Sequence, residues 1–514
     1  MRVHFVAIAG TGMGALSGLF KAAGHDVSGS DVAFYPPMGP ALRAWGVRCL
    51  EGFDPKHLDP TPDLVVVGNV CRPTNPEAKA ARDAGMNVTT MAHALADHML
   101  PGTSPLVVGG THGKTTTSAL CAFLLHHAGR DPGFLIGGLP KDFSESFRLA
   151  GREKRLGLLG DEGMPLRRTP FVIEGDEYDT AFFEKTPKFW HYKPEVAIVT
   201  SIEHDHIDIY PDEASYLAAF RGFVERVPAS GLIVACASDK RVVEIVNASV
   251  ARAAAENKPH PDVAWFALEG EDTHGMPPHW LAAPVAAGAD GQVFDLFAGG
   301  VAAGRVAIQI PGRHNIKNAL AALGAVAQGF GVPLRTAIEG LAKFSGVRRR
   351  QDLLFAIDGV RVYDDFAHHP TAVEETIAAM RAKHADGTLW AVFEPRSATA
   401  CRALHQAEYG RAFRGAGHVI LAPVGRPEIP ADERLDVGRI VADLTAGGTV
   451  ADAAPSVDWI VTRIAEGARP GDTVLLLSNG AFGGIYEKIR AALTARSASG
   501  TGATTTGAAG SAST

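Results

Sequence analysis

Cysteine is sparse in this 514-residue chain. Its five cysteines, Cys49, Cys71, Cys121, Cys236 and Cys401, are dispersed without a C-x-x-C pair. That excludes a disulfide scaffold and a cysteine zinc site, and predicts reduced thiols filling cores. A basic surplus is also missing. The formal net charge of −7 has the wrong sign for a nucleic-acid binder. No apolar run approaches the length that crosses a bilayer. The amino terminus passes straight into a strand-like run, Val3–Ala9, without the basic region and cleavage site of a signal peptide. A cytoplasmic protein with no membrane or nucleic-acid partner is therefore expected. Hydrophobic content of 46% and charged content of 20% suit globular domains, and the length suggests about three of them.

The usual phosphate-loop spacing, G-x-x-x-x-G-K-[ST], is incomplete too, because Val108 stands where its first glycine belongs. What remains is compelling in context. The apolar run Leu106-Val107-Val108 leads into Gly109-Gly110-Thr111-His112-Gly113-Lys114-Thr115-Thr116-Thr117, and a helix-like segment follows. A buried strand, a glycine turn and a helix N-terminus make an anion cradle of backbone N–H groups. Lys114 adds a charge, and the Thr115 hydroxyl can hold Mg²⁺. The chain is expected to handle a nucleoside triphosphate.

Strand-like and helical patterns alternate through most of the length, the signature of an α/β fold with mostly parallel sheets. A first domain is expected over residues 1–102, ending at the breaker Pro101–Pro105. A second would cover 103–346 and a third 347–495. The stretch Ala251–Gly304 is rich in Ala, Gly and Pro, and its strands cannot be placed from periodicity. From Arg496 to Thr514 the chain has no large apolar side chain and reads as a disordered tail.

A second glycine loop, Gly10-Thr11-Gly12-Met13-Gly14, follows the first strand, with Asp31 about 20 positions on. Such a loop suits a diphosphate and a ribose. Alone it would equally fit an NAD-dependent oxidoreductase or a tight strand–helix turn. The oxidoreductase reading leaves Gly110–Thr116 unexplained. A non-catalytic nucleotide switch leaves the acidic and histidine motifs at Glu174 and His206 unexplained.

Those further motifs are Glu174-Gly175-Asp176-Glu177-Tyr178-Asp179, Thr200–Asp208, Gly312–Asn318, Arg348-Arg349-Arg350 and Asp364–Thr371. Together with the two glycine loops, they resemble the Mur ligase family in order and spacing over nearly the whole chain. The resemblance implies an N-terminal Rossmann-like domain for a UDP-sugar, a central P-loop ATPase-type domain and a C-terminal Rossmann-like domain for the incoming amine. It also implies ATP and Mg²⁺ as cofactors, and an amide made through an acyl phosphate. Tyr35–Met38, Ala181–Phe183 and Ser478–Ile485 resemble the branch that joins the tripeptide L-Ala-γ-D-Glu-meso-diaminopimelate to UDP-N-acetylmuramate in peptidoglycan recycling. The alternative is the branch that adds free L-alanine to the same sugar nucleotide. A monomer or weak homodimer is expected.

Carried over by this resemblance, Lys114 meets the β/γ-phosphates, while Thr115, Glu174 and His206 hold metal. Gly110, Thr111, His112, Gly113 and Thr116 complete the cradle. His314, Asn315 and Asn318 contact the nucleoside, although Asn is also a good N-cap. Arg350 and Asp365 would serve the ATP, and His368 the phosphates. Gly10, Gly12, Met13, Gly14 and Asp31 would bind the sugar nucleotide. Arg396, Ser478 and Asn479 would bind the peptide, the alternative for Arg396 being a surface ion pair. Glu174 and Asp176 could instead form a solvated acidic turn, and Arg348 and Arg349 read as a solvated face. Imidazole is an unusual Mg²⁺ ligand, so the role of His206 rests on the resemblance. Two departures stand out: Ser201 where most relatives carry Asn, and Phe220 where several branches carry a carbamoylated Lys.

Overall fold

The structure, a computed structural model, describes residues 1–151, 168–288 and 291–501. Three large sheets organise the chain. The first has five parallel strands in the order Arg48–Glu51, Asp26–Asp31, Arg2–Val6, Leu64–Val67, Val88–Thr90. The second has ten strands, and its parallel centre runs Leu232–Cys236, Val196–Val199, Thr103–Gly109, Thr169–Glu174. The third has six strands, five parallel and one antiparallel edge strand, Asp352–Ile357. Parallel strands need crossovers, and the intervening helices supply them.

Burial explains why the central strands are apolar without alternation. Leu106 and Val108 enter one core cluster, while Val107 between them enters the cluster on the opposite face. Val196 and Ile198 likewise separate from Ala197 and Val199. Both faces are covered, so both registers of the period-two pattern must be apolar.

The chain divides into two compact units. One holds Met1–Ala286, Gln292–Ile310 and His314–Val347, and so carries the first two sheets. The other holds Arg348 onward together with Ala287–Gly291 and Pro311–Arg313.

Two expectations change. The stretch Ala251–Gly304, whose strands periodicity could not place, supplies strands Asp262–Leu268, Trp280–Gly288, Gly291–Ala298 and the start of Val301–Ile308, which extend the ten-stranded sheet. Only one face of these outer strands is well covered. Phe294 and Leu296 are buried, whereas Val293, Asp295 and Phe297 on the other face are only partly covered. The tail is also shorter than expected. Helix Ile485–Thr501 passes through Arg496, which donates to the carbonyls of Ala465 (2.9 Å) and Ala468 (2.6 Å) and pairs with Asp358 at 3.1 Å. One long guanidinium anchors the helix end where no apolar side chain could. The rest of the expected tail, 502–514, lies outside the described residues.

Candidate active site

In the first unit, the phosphate loop leaves the strand Thr103–Gly109 and enters the helix Lys114–His127. Gly110 has φ +139° and Gly113 φ +80°. A Cβ on Gly110 would lie 1.9 Å from Thr200 Oγ1, and one on Gly113 would lie 2.4 Å from Asn318 Oδ1. Conformation and space both demand glycine there. Neighbouring strand ends brace the loop. Thr111 N–H donates to the Ser201 carbonyl (2.9 Å), His112 N–H to Ser201 Oγ (3.1 Å), and Thr200 Oγ1 to the His112 carbonyl (2.5 Å). Ser201 therefore has a definite task, holding the cradle through its hydroxyl and carbonyl. His112 Nε2 lies 3.2 Å from Glu203.

Lys114 is turned back on the loop. Its Nζ donates to the carbonyls of Gly110 (2.6 Å) and Thr111 (3.3 Å) and sits 3.0 Å from Glu177 Oε2. Burial by itself would lower its pKa, but Glu177, Asp176 and Glu174 outweigh that and raise it, so the ammonium stays charged. Thr115 Oγ1 donates to Glu174 Oε1 at 2.7 Å, and Glu174 Oε2 accepts from Gly137 N–H at 2.6 Å. Burial, then the charge on Asp176, raises the Glu174 pKa despite these bonds. Glu174 and Asp176 are thus no solvated turn. Two carboxylates repel one another at the mouth of a buried loop, a place that favours a cation.

His206 adopts the left-handed conformation, φ +55°, which costs about 1 kcal/mol for a non-glycine residue. Local bonds hold it there: its N–H donates to Asp205 Oδ1 (2.7 Å), and its carbonyl accepts from Ile209 (2.8 Å) and Tyr210 (2.9 Å). The ring meets Glu177 Oε1 at 3.1 Å and packs on Tyr178, centroids 4.3 Å apart. Burial would lower the His206 pKa; the bond to Glu177 and the charges of Asp205 and Glu177 reverse this, and the net direction is upward. Neighbouring His204 bonds the Tyr210 carbonyl instead (2.9 Å).

Glu177 is the hub that sequence reasoning missed as a site residue. It is fully buried, yet its pKa falls to about 2: burial pushes upward, and the Lys114 charge and the His206 bond and charge overcome it. Tyr216 Oη also approaches it at 3.4 Å and links to Thr111 Oγ1 at 2.9 Å. The acidic run 174–179 was visible in sequence, but nothing local distinguishes which acid faces Lys114.

Helix Arg313–Phe330 brings Asn315 and Asn318 to the loop. Asn318 Nδ2 donates to Asn315 Oδ1 (3.0 Å), and Asn318 Oδ1 accepts from Thr117 Oγ1 (3.1 Å). Both are buried, and Asn318 ties the two helices together; His314 begins the same turn. Thr116 is buried in the first turn of the loop helix. In the first sheet, Gly10 precedes helix Thr11–Ala22, which includes Gly12, buried Met13 and Gly14. Asp31 accepts from the N–H groups of Ala9 and Val32, each at 2.8 Å. Its carboxylate shapes the turn at the base of the glycine loop.

The second unit carries its own cluster. Arg349 is no solvated residue: it donates to Asp364 (3.0 Å) and to the carbonyls of Ser478 (2.9 Å) and Gly480 (2.8 Å). Asp364 is raised by burial, partly offset by Arg349. Asp365 accepts from the N–H groups of Gln351 and Ala367, both at 2.7 Å, and Arg350 lies over the Phe366 ring at 4.9 Å. His368 Nδ1 is 3.0 Å from the Phe366 carbonyl. The strands Leu389–Phe393 and Thr473–Leu477 are parallel neighbours, so the loops after them emerge side by side. Ser478 Oγ donates to Glu394, and Arg396 sits 3.5 Å from Glu394 with its side chain about half exposed at 51%. Asn479 lies between Ser478 and Gly480 on the same loop.

Residues 2–102 match the model described as Mur ligase family, catalytic domain; 108–326 match Mur ligase middle domain; 349–480 match Mur ligase, glutamate ligase domain. The chain is 34% identical to the UDP-N-acetylmuramate--L-alanyl-gamma-D-glutamyl-meso-2,6-diaminoheptandioate ligase of Escherichia coli (strain K12), over 95% of this chain and 97% of that protein. It is 35% identical to a UDP-N-acetylmuramate--L-alanine ligase of Kineococcus radiotolerans, over 93% of each. Among solved structures, a murein peptide ligase from Psychrobacter arcticus 273-4 superposes with a TM-score of 0.69 at 33% identity, covering 96% of this chain and 98% of that one.

Proposed function

The chain belongs to the Mur ligase family of ATP-dependent, amide-forming ligases, and on that premise we propose that it joins L-Ala-γ-D-Glu-meso-diaminopimelate to UDP-N-acetylmuramate. The observation that carries the peptide reading is the paired loops of the second unit. Arg396 stands half exposed beside Glu394, on a loop next to Ser478-Asn479. Free alanine offers one carboxylate, whereas the tripeptide offers several, and a planar guanidinium suits bidentate pairing with them. Arg349 grips the carbonyls of Ser478 and Gly480 and so keeps that loop in place.

A carboxylate is a poor electrophile, and ATP supplies the activation: the γ-phosphoryl group passes to the carboxylate with loss of ADP, and the amine then attacks the acyl carbon and expels phosphate. This chain's residues position and neutralise. Lys114 brings a charged ammonium to the phosphate cradle, and the helix N-terminus at Gly113–Thr116 directs backbone N–H groups to it. Mg²⁺ fits Thr115 and Glu174, hard oxygen donors that already converge within 2.7 Å. When bound, it would neutralise phosphate charge and relieve the repulsion between Glu174 and Asp176. His206, expected to hold a second metal ion near the substrate carboxylate, pairs with Glu177. We assign it the task of holding Glu177, which in turn keeps Lys114 charged and aimed.

The glycine loop Gly10–Gly14 and Asp31 would take the sugar nucleotide. Asn315, Asn318 and His314 would take the nucleoside of ATP; Arg350, Asp365 and His368 belong to the polar cluster of the second unit. Both nucleotide substrates are cytoplasmic compounds, so we place the enzyme there; no helix among the described residues is long and apolar enough to cross a membrane. The test is a competition: ATP, UDP-N-acetylmuramate, L-alanine and the tripeptide offered together. Preferential use of the tripeptide is expected, with Arg396→Ala raising its apparent KM. Preferential use of alanine overturns the peptide reading, and an unchanged KM in Arg396→Ala overturns the clamp.

A further inference from the structure

Away from the phosphate loop, a hairpin of the central region reaches the first domain. Strands Asp179–Ala181 and Glu184–Pro187 pair antiparallel, and the short 3₁₀ turn Lys188–His191 follows. Arg82 lies over the rings of Phe182 and Phe183 at the hairpin tip, 5.5 and 5.2 Å from their centroids. Beside it, helix Met91–His98 presents His93 to Glu184 and His191.

His93 Nε2 lies 3.1 Å from each oxygen of Glu184, and His191 Nε2 lies 3.4 Å from Oε1. All three donor atoms fall within 4.8 Å of one another, and the two imidazoles lie 4.2 Å apart, centroid to centroid. A tetrahedral zinc ion binds its ligands at about 2.0–2.1 Å, so that neighbouring donors stand about 3.3 Å apart. The spacings around Glu184 already match that edge. Thr186 Oγ1 donates to Glu184 Oε1 at 3.1 Å, the kind of outer hydrogen bond that fixes a ligating carboxylate; its contact with His191 Nε2 at 2.9 Å gives way when that nitrogen takes the metal. The three side chains are 16–37% exposed, which leaves a side open for water to complete the coordination.

We propose that His93, Glu184 and His191 form a second metal site, separate from the phosphate loop, that takes a zinc-class divalent ion and fastens the hairpin to helix Met91–His98. Two imidazoles with one carboxylate suit zinc and its transition-metal neighbours and are poor company for Mg²⁺. Three protein ligands and an open position give a reversible tie, so metal supply sets how firmly the first domain is held to the hairpin that carries Glu177 at its base. The site is independent of which amine the enzyme uses.

The full-length protein, stripped with chelator and kept in excess Mg²⁺ to fill the oxygen site, is titrated calorimetrically with Zn²⁺. One equivalent is expected to bind and to raise the melting temperature. Removing a ligand in His93→Ala or His191→Ala weakens binding by roughly tenfold or more, and the isosteric Glu184→Gln does the same in a chain whose packing is preserved. Co²⁺ as a probe gives the intense visible absorption of a tetrahedral site in the wild type and loses it in all three variants. His206→Ala retains the Zn²⁺ equivalent. Failure of the wild type to bind, or binding lost in His206→Ala but unchanged in the His93, Glu184 and His191 variants, overturns the proposal.

Discussion

Glu177→Gln tests whether the buried carboxylate between Lys114 and His206 holds the site. The charged form of Glu177 is favoured by the fold: its pKa falls from 4.5 to about 2, which corresponds to about 3 kcal/mol. Taking one partner from a buried ion pair costs about 3–5 kcal/mol. Glutamine keeps the volume and one acceptor oxygen, so the lower end applies and both routes give about 3 kcal/mol. The sign follows from the depressed pKa. The stabilisation is present in full above the unfolded pKa, about 4.5, and is lost as the pH falls towards 2. Urea unfolding of wild type and variant near neutral pH should therefore differ by about 3 kcal/mol, and the gap should close as the pH is lowered below about 4.5. The variant should also lose ligation activity, because Lys114 and His206 both lose their counter-charge. A gap under about 0.5 kcal/mol, the range of an ordinary surface change, or one that does not narrow with acid, would refute the hub.

Lys114→Ala should lower the ligation rate by about 10²–10³-fold while leaving UDP-N-acetylmuramate binding measurable by calorimetry; a folded variant turning over at the wild-type rate would remove the loop from the mechanism. Gly113→Ala forces a left-handed φ of +80° and sets a methyl 2.4 Å from Asn318 Oδ1, so it should cost about 2 kcal/mol or more in unfolding free energy and weaken ATP binding. Truncation after Ala495 removes the Arg496 anchors to Ala465, Ala468 and Asp358 and should lower the melting temperature by a few degrees, from about 1–2 kcal/mol of lost hydrogen bonding; a chain with an unchanged melting temperature would show the helix end to be idle.

Order along the chain was enough to read the α/β class, the phosphate loop with its Lys114 and Thr115, and the Mur ligase resemblance. The resemblance rests on motif order along the whole chain, but each motif is local: an apolar run, a glycine that must adopt positive φ, and a helix that starts where the run ends each leave a mark within a dozen residues. The acid that faces Lys114 left none. Glu174, Asp176 and Glu177 share one turn, and only the crossing of neighbouring strands decides that Glu174 meets Thr115 while Glu177 meets Lys114 and His206. Arg349 read, with Arg348, as a solvated face until the strands Val360–Asp365 and Thr473–Leu477 came together around it. The strands between Asp262 and Ile308 were hidden because a half-covered sheet tolerates Ala and Gly where a covered one needs Val and Ile. Which charges are buried together is a property of packing. Burial strengthens every electrostatic contact it encloses, so the fold itself makes Glu177 the centre of this site.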